Sequence, residues 1–171
     1  MKSISRTDFR DNLKKYFDLA EKECIIIHKG VKKAYILMPL SVMDETEFLK
    51  ASPANIVHLK KGIKEFNRED YARPLFKKRI NIYFTPTAAK DYAIWREKKD
   101  KRIMAGLHRL LADVALHPQT GMGNPQCLKA EFSGFWSRAI NTEHRVVYKK
   151  RDNGQIIVVG MYYQYEEETQ P

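Results

Sequence analysis

Cysteine is nearly absent. Cys24 and Cys127 sit in unrelated contexts with no partnering pattern, which excludes a disulfide framework or a thiolate zinc site. His28, His58 and His108 show no ligand spacing, so no metal and no cofactor is expected. Long apolar runs are missing too. The run over residues 156–161 is far too short to cross a bilayer, and Met1-Lys2-Ser3-Ile4-Ser5 lacks the apolar stretch of a secretory leader. The expectation is a cytoplasmic, reducing setting with no membrane partner. No internal repeat or low-complexity segment interrupts the chain.

Acidic residues are also in deficit: 31 Lys and Arg stand against 21 Asp and Glu, a net charge of +10. That excess points to an anionic partner, with nucleic acid ahead of membrane because no basic amphipathic helix stands out. Simple solubility is the plainer reading. The chain is 43% hydrophobic and 11% aromatic, enough to bury a core, and its 171 residues suit one medium domain or two small ones.

Two halves read differently. Ser5, with Asp8 three residues on, opens a helix whose apolar stripe is Phe9, Leu13, Tyr16, Phe17 and Ala20. Residues 24–28 and 34–38 read as short strands turning at Gly30. Ser41 caps a short helix to about Lys50, and Ser52-Pro53 starts another with Ile56, Leu59, Ile63 and Phe66 on one stripe. Residues 67–78 have no periodicity and read as a linker. Beyond it come a strand at 80–84, a helix opened by Thr85-Pro86, and a second helix carrying Ile103, Leu107, Leu110, Leu111 and Val114. Residues 133–165 then alternate as a three-stranded meander with a tight turn at Asp152-Asn153-Gly154. The order β-α-α-β-β-β predicts an α+β domain, a helical hairpin on one face of an antiparallel sheet. An acidic tail, 166–171, closes the chain.

The block Ser133-Gly134-Phe135-Trp136-Ser137-Arg138, the run Glu143-His144-Arg145-Val146-Val147-Tyr148, Leu128-Lys129, Asp100-Lys101-Arg102-Ile103, Trp95 and Tyr165 appear together and in order. Through them residues 79–165 resemble the YoeB/Txe family of ribosome-dependent messenger-RNA interferases, within the RelE/ParE toxin superfamily. Met1-Lys2-Ser3-Ile4-Ser5, Arg10, Asn12-Leu13, Ile36-Leu37-Met38 and Ser52-Pro53-Ala54-Asn55 likewise resemble the YefM/Phd antitoxins. The resemblance implies an antitoxin over residues 1–66 fused to its toxin. Its implied partners are operator DNA, the ribosome and messenger RNA, and a second copy of the chain bound through the antitoxin half.

Metal-free RNA cleavage needs a base for the 2′-OH, an acid for the leaving oxygen, and cations around the phosphorane. Carried over from the family, Arg145 and the terminal Tyr165 are present. The base position falls at Gln126, the acid position at Gln164, and a second arginine position at Ala139. A carboxamide can orient a water or a substrate but does not act as an acid or a base near neutral pH. Each missing acid or base removes roughly 10² to 10⁴ in rate, so weak cleavage is expected. Lys129, Arg138 and Arg145 are the RNA-binding candidates, and with Tyr165 they suit an alternative, carboxylate-free mechanism. Arg10 and Lys29 occupy the family's DNA-contact positions, although Lys29 beside Gly30 equally suits a solvated turn. Ile56, Leu59, Ile63 and Phe66 are the implied toxin-neutralising residues. The competing reading is an inactive operator repressor that uses the toxin fold as a scaffold.

Overall fold

A computed structural model describes residues 1–30, 33–73 and 80–163. The chain divides into two compact units, residues 1–44 and 45–171. No helix among the described residues is long and apolar enough to cross a membrane.

The first unit contains β1 (Lys2–Ser5), α1 (Arg6–Asp11), α2 (Leu13–Ala20), β2 (Ile25–His28) and β3 (Ala34–Leu37). β1 runs parallel to β2, so the two helices form the crossover that a parallel pair requires; β3 pairs antiparallel on the other edge of β2. The Ser5 hydroxyl caps α1 by accepting from the Asp8 N–H at 3.1 Å. The expected single helix breaks at Asn12 (φ −133°, ψ 38°). There the Asn12 amide donates to the Asp8 carbonyl and carboxylate, competing with the helical ladder. The core is small: Ile4, Tyr16, Ala20 and Ile25.

The second unit contains α3 (Glu45–Lys50), α4 (Pro53–Asn67), β4 (Ile82–Phe84), α5 (Pro86–Glu97), α6 (Lys101–Leu116), β5 (Gln126–Cys127), β6 (Trp136–Ala139), β7 (Arg145–Lys150) and β8 (Ile156–Gly160). Its sheet has the order β4-β8-β7-β6-β5. This corrects the antiparallel expectation, because β4 lies parallel to β8 and a short fifth strand, β5, precedes the meander. The sheet is mixed because the chain leaves β4 through the helical hairpin and returns beside it only at β8. One sheet face carries Val146, Tyr148, Ile156 and Val158 into a core with Trp95, Leu107, Leu110, Leu111 and Val114. Trp95 locks this layer by donating its indole N–H to the Met161 carbonyl at 2.9 Å.

The division at residue 44 differs from the sequence reading, which kept 1–66 together and set the linker at 67–78. α3 and α4 fold with the second unit because their buried side chains, Phe48, Leu49, Asn55, Leu59 and Phe66, have the opposite sheet face to cover. The first part of the expected linker also docks: Ala72 makes an antiparallel bridge to Phe84, and Arg73 lies over the Tyr83 ring. Residues 74–79 lie outside the described residues, as does the acidic tail.

Candidate functional site

Strand register gathers the site. Gln126 stands opposite Ser137, Ser137 opposite Val147, and Ala139 opposite Arg145, so these side chains share the face turned away from the helical hairpin. α3 lies on that face. One Glu45 carboxylate oxygen accepts from the Ser137 hydroxyl at 2.6 Å and from Arg145 Nε at 2.8 Å. Arg145 Nη1 donates to the carbonyls of Asn141 at 2.8 Å and of Thr142 and His144 at 3.3 Å. Its guanidinium also lies 4.4 Å from the centre of the Phe48 ring, which packs on Tyr163 at 5.1 Å. The Tyr163 hydroxyl donates to the Phe48 carbonyl, and the Thr46 hydroxyl accepts from the Lys129 backbone N–H. Arg145 is thus 12% exposed and neutralised. The crevice left beside it, lined in part by Leu49, Leu59, Val147 and Tyr163, holds about 10 Å³, room for no more than about one water.

α4 continues the cover. Its buried seam is Asn55, Leu59, Gly62 and Phe66, with Ile56 and Ile63 half-buried beside it. Gly62 is required: a Cβ there would stand 2.0 Å from the Val159 carbonyl oxygen, and a strand carbonyl cannot retreat without breaking the sheet. Gly62→Ala is therefore expected to shift α4 off β8 and destabilise this unit by about 1–3 kcal/mol, read from urea unfolding.

The cover is basic overall, yet its contacts are complementary. Glu65 accepts from both the N–H and the hydroxyl of Thr87 at the start of α5, Glu69 pairs with Arg151, and Lys60 pairs with Glu131. The placement of individual charged side chains, not net charge, sets these contacts. His58 of α4 meets Asp91 of α5 at 2.9 Å, and Asp91, 1% exposed, also accepts from the Met161 N–H. Burial pushes the Asp91 carboxyl up, against the opposing pull of His58 and the Met161 and Tyr162 N–H groups.

The remaining candidates scatter. Gln126 is exposed and donates to the Asn124 side chain. Lys129 is exposed beside α3. Arg138, expected to contact RNA, is instead fully buried, on the hairpin side of β6. It donates to Asp113, to the Tyr148 hydroxyl and to the carbonyls of Met122, Thr120 and His117. No donor remains for a phosphate, because neighbouring strand residues point to opposite faces and Arg138 alternates with Ser137. Gln164 and Tyr165 lie outside the described residues. In the first unit Arg10 is exposed and donates to Asp11, while Lys29 is exposed at the turn after β2.

His144 holds the end of the chain's last described segment. It is 5% exposed, stacks on Tyr162 at 4.4 Å, and its Nδ1 accepts from the Tyr163 N–H. Burial lowers its pKa, with Lys98 and Arg145 adding to the effect and Glu143 opposing it. With the folded value depressed, the unfolded chain binds the proton first, so stability falls as pH drops below about 6.5 and levels off below the folded value. A thermal melt series from pH 8 to 5 is expected to show this loss, flattened in His144→Asn.

Sequence reasoning missed Glu45, Phe48, Gly62, Asp91 and Ser137 as site residues. Ser137 lay inside the quoted motif, but alternation alone could have separated its face from that of Arg138. The others carry no local signal, since their partners lie 33 to 115 residues away.

The second unit is thus an α+β domain, with a helical hairpin on one face of a mixed five-stranded sheet and a serine and an arginine on the other. Residues 84–165 match the family described as the YoeB-like toxin of bacterial type II toxin–antitoxin systems. Toxin YoeB of Streptomyces coelicolor is 41% identical over 84 residues, covering 49% of this chain and 99% of that protein. Toxin YoeB of Escherichia coli K12 is 42% identical, with the same coverage. Among solved structures, the heterotetrameric YoeB–YefM toxin–antitoxin complex from Staphylococcus aureus includes a chain 35% identical. The match covers 52% of this chain and 100% of that one, with a TM-score of 0.47. Through its C-terminal half, the chain belongs to the YoeB toxin family.

Proposed function

We propose that this chain is a fused toxin–antitoxin protein: a YoeB-type messenger-RNA interferase domain held closed by the segment that precedes it. The observation that carries this reading is the ion pair between Glu45 of α3 and Arg145, in which a cation at a family position is neutralised by the same chain. Covalent linkage makes the cover effective even if its contacts are individually weak, since a short tether gives a local concentration of about millimolar. The relative from Staphylococcus aureus is a complex of separate YoeB and YefM chains; here the covering segment is part of the toxin's own polypeptide.

The first unit serves as the operator-binding, dimerising part, with Arg10 and Lys29 on DNA phosphates. Its support is compositional and geometric: a four-residue core beside exposed Leu13, Phe17, Tyr35, Ile36 and Val42, apolar surface suited to a second copy. Gln126 and Gln164 leave the toxin half a weak enzyme at most.

Primer extension on translating ribosomes tests the reading. The full chain is expected to leave messenger RNA intact. Glu45→Ala strands a partly buried guanidinium, so α3 should lift and low-level cleavage appear; adding Arg145→Ala should abolish it. Cleavage by the unaltered chain at the level of the opened variant would refute a closed state. No cleavage from any opened variant, with the chain still shifting DNA from upstream of its own gene, would favour the repressor reading. Arg10→Ala should weaken that DNA binding and reduce its salt dependence by about one counterion.

A further inference from the structure

We infer that Ser137 is a phosphate-positioning residue, and that Glu45 and Phe48 together stand in for one nucleotide of a single-stranded RNA. This rests on the reading above, that α3 covers the RNA surface, and names the ligand seat beneath it.

A single carboxylate oxygen of Glu45 sits between a hydroxyl donor and a guanidinium donor, 2.6 Å from Ser137 Oγ and 2.8 Å from Arg145 Nε. Both lengths fall in the range of charge-assisted hydrogen bonds to an anionic oxygen. A non-bridging phosphate oxygen has the same charge and accepts in the same geometry. Ser137 is fully buried, and its hydroxyl is directed at Glu45 from the neighbouring strand to Arg145. Without α3, that hydroxyl would face the place an anion must occupy. The guanidinium is held for the task, since Nη1 is tied to three carbonyls of the turn before β7 and the Nε edge is left toward the seat. The Lys129 N–H, now held by Thr46, would become a further donor at the edge of the same face.

The ring supplies the second half of the likeness. Phe48 follows Glu45 by one helical turn, so carboxylate and ring project to the same side of α3. The ring lies 4.4 Å from the Arg145 guanidinium and 5.1 Å from the centre of the Tyr163 ring, tilted 43° to the latter. A cation and an aromatic side chain beside a flat ring are the groups on which proteins seat an unstacked base. Phosphate seat and base slot are adjacent, as the two parts of one nucleotide are. Gln126, opposite Ser137 in the register, places the altered base position next to the same seat.

The test uses the full chain and a fluorescein-labelled 2′-O-methyl hexaribonucleotide, which cannot be cleaved, read by fluorescence anisotropy. E45A is expected to bind at least tenfold more tightly than the unaltered chain. Adding Ser137→Ala should remove about tenfold of that affinity, the value of a hydrogen bond to a charged group, and adding Arg145→Ala should remove the gain entirely. Inorganic phosphate should compete with the oligonucleotide for E45A. If E45A and E45A/S137A bind alike, the serine assignment is overturned while the covered-surface reading stands. If neither E45A nor Gly62→Ala binds more tightly than the unaltered chain, the covered-surface reading fails, and the inference with it. Should E45A unfold, judged by its thermal melt, the same comparison on E45Q decides, since the isosteric amide removes the charge and keeps the shape.

Discussion

Gln126→Glu, introduced into a chain already opened by Glu45→Ala, is expected to raise ribosome-dependent cleavage by roughly 10² to 10⁴. Position 126 sits on β5 directly across from Ser137, so a carboxylate there would stand beside the seat where Arg145 and Ser137 converge. Gln126 is exposed, and among the described residues its side chain bonds to Asn124 alone, so the change need not disturb the fold. The amide and the carboxylate are nearly isosteric; only the second can take a proton from a 2′-OH near neutral pH. Primer extension against the Glu45→Ala chain measures the gain. Without the opening substitution the gain should shrink sharply, because the face is filled and Arg145 is already neutralised. A gain equal in both backgrounds would mean that α3 does not gate the site.

Arg138→Met is expected to cost about 3–5 kcal/mol of the second unit's stability, measured by urea unfolding. The side chain is wholly buried, and its fork gathers Asp113, Tyr148 and three carbonyls from the loop after α6. Removing it takes the guanidinium partner from Asp113 and the shared donor from Tyr148 and the loop carbonyls. Arg138→Lys should fail nearly as badly, since one ammonium cannot reach partners spread over a planar fork. Burial raises the Asp113 carboxyl, but the Met122 N–H, His117 and Arg138 outweigh it and hold the carboxyl below its ordinary value. A depressed carboxylate contributes stability above its unfolded pKa of about 3.9 and loses it as pH falls through the folded value. The unaltered chain should therefore weaken in strong acid, and Arg138→Met should show less of that acid dependence.

Much of the second unit was legible in the residues. Thr85-Pro86 opens α5 with the Thr85 hydroxyl capping the Ala88 N–H, and Asp100 caps α6, both as local chemistry dictates. The apolar spacing of α6 and the alternation of the meander reflect periods of 3.6 and 2 that need no tertiary context. The parallel β4–β8 pairing was not legible, because no local signal states which distant strand will lie beside another. Nor was the burial of Arg138. A cation in a motif reads as surface, and only the loop carbonyls folded around it show otherwise.

The sequence by itself determined the element types, the α+β class and the toxin kinship, because each rests on periodicity, caps and a run of consecutive motifs. It also placed carboxamides, Gln126 and Gln164, at the two positions to which the resemblance assigns base and acid. Only the tertiary structure decided that Glu45 meets Arg145 and Ser137, that Arg138 faces inward, and that α3 and α4 belong to the unit they cover. Those outcomes depend on contacts between residues dozens of positions apart. Such contacts are chosen by which surfaces must be buried together, a property of the folded whole that no short stretch of chain carries.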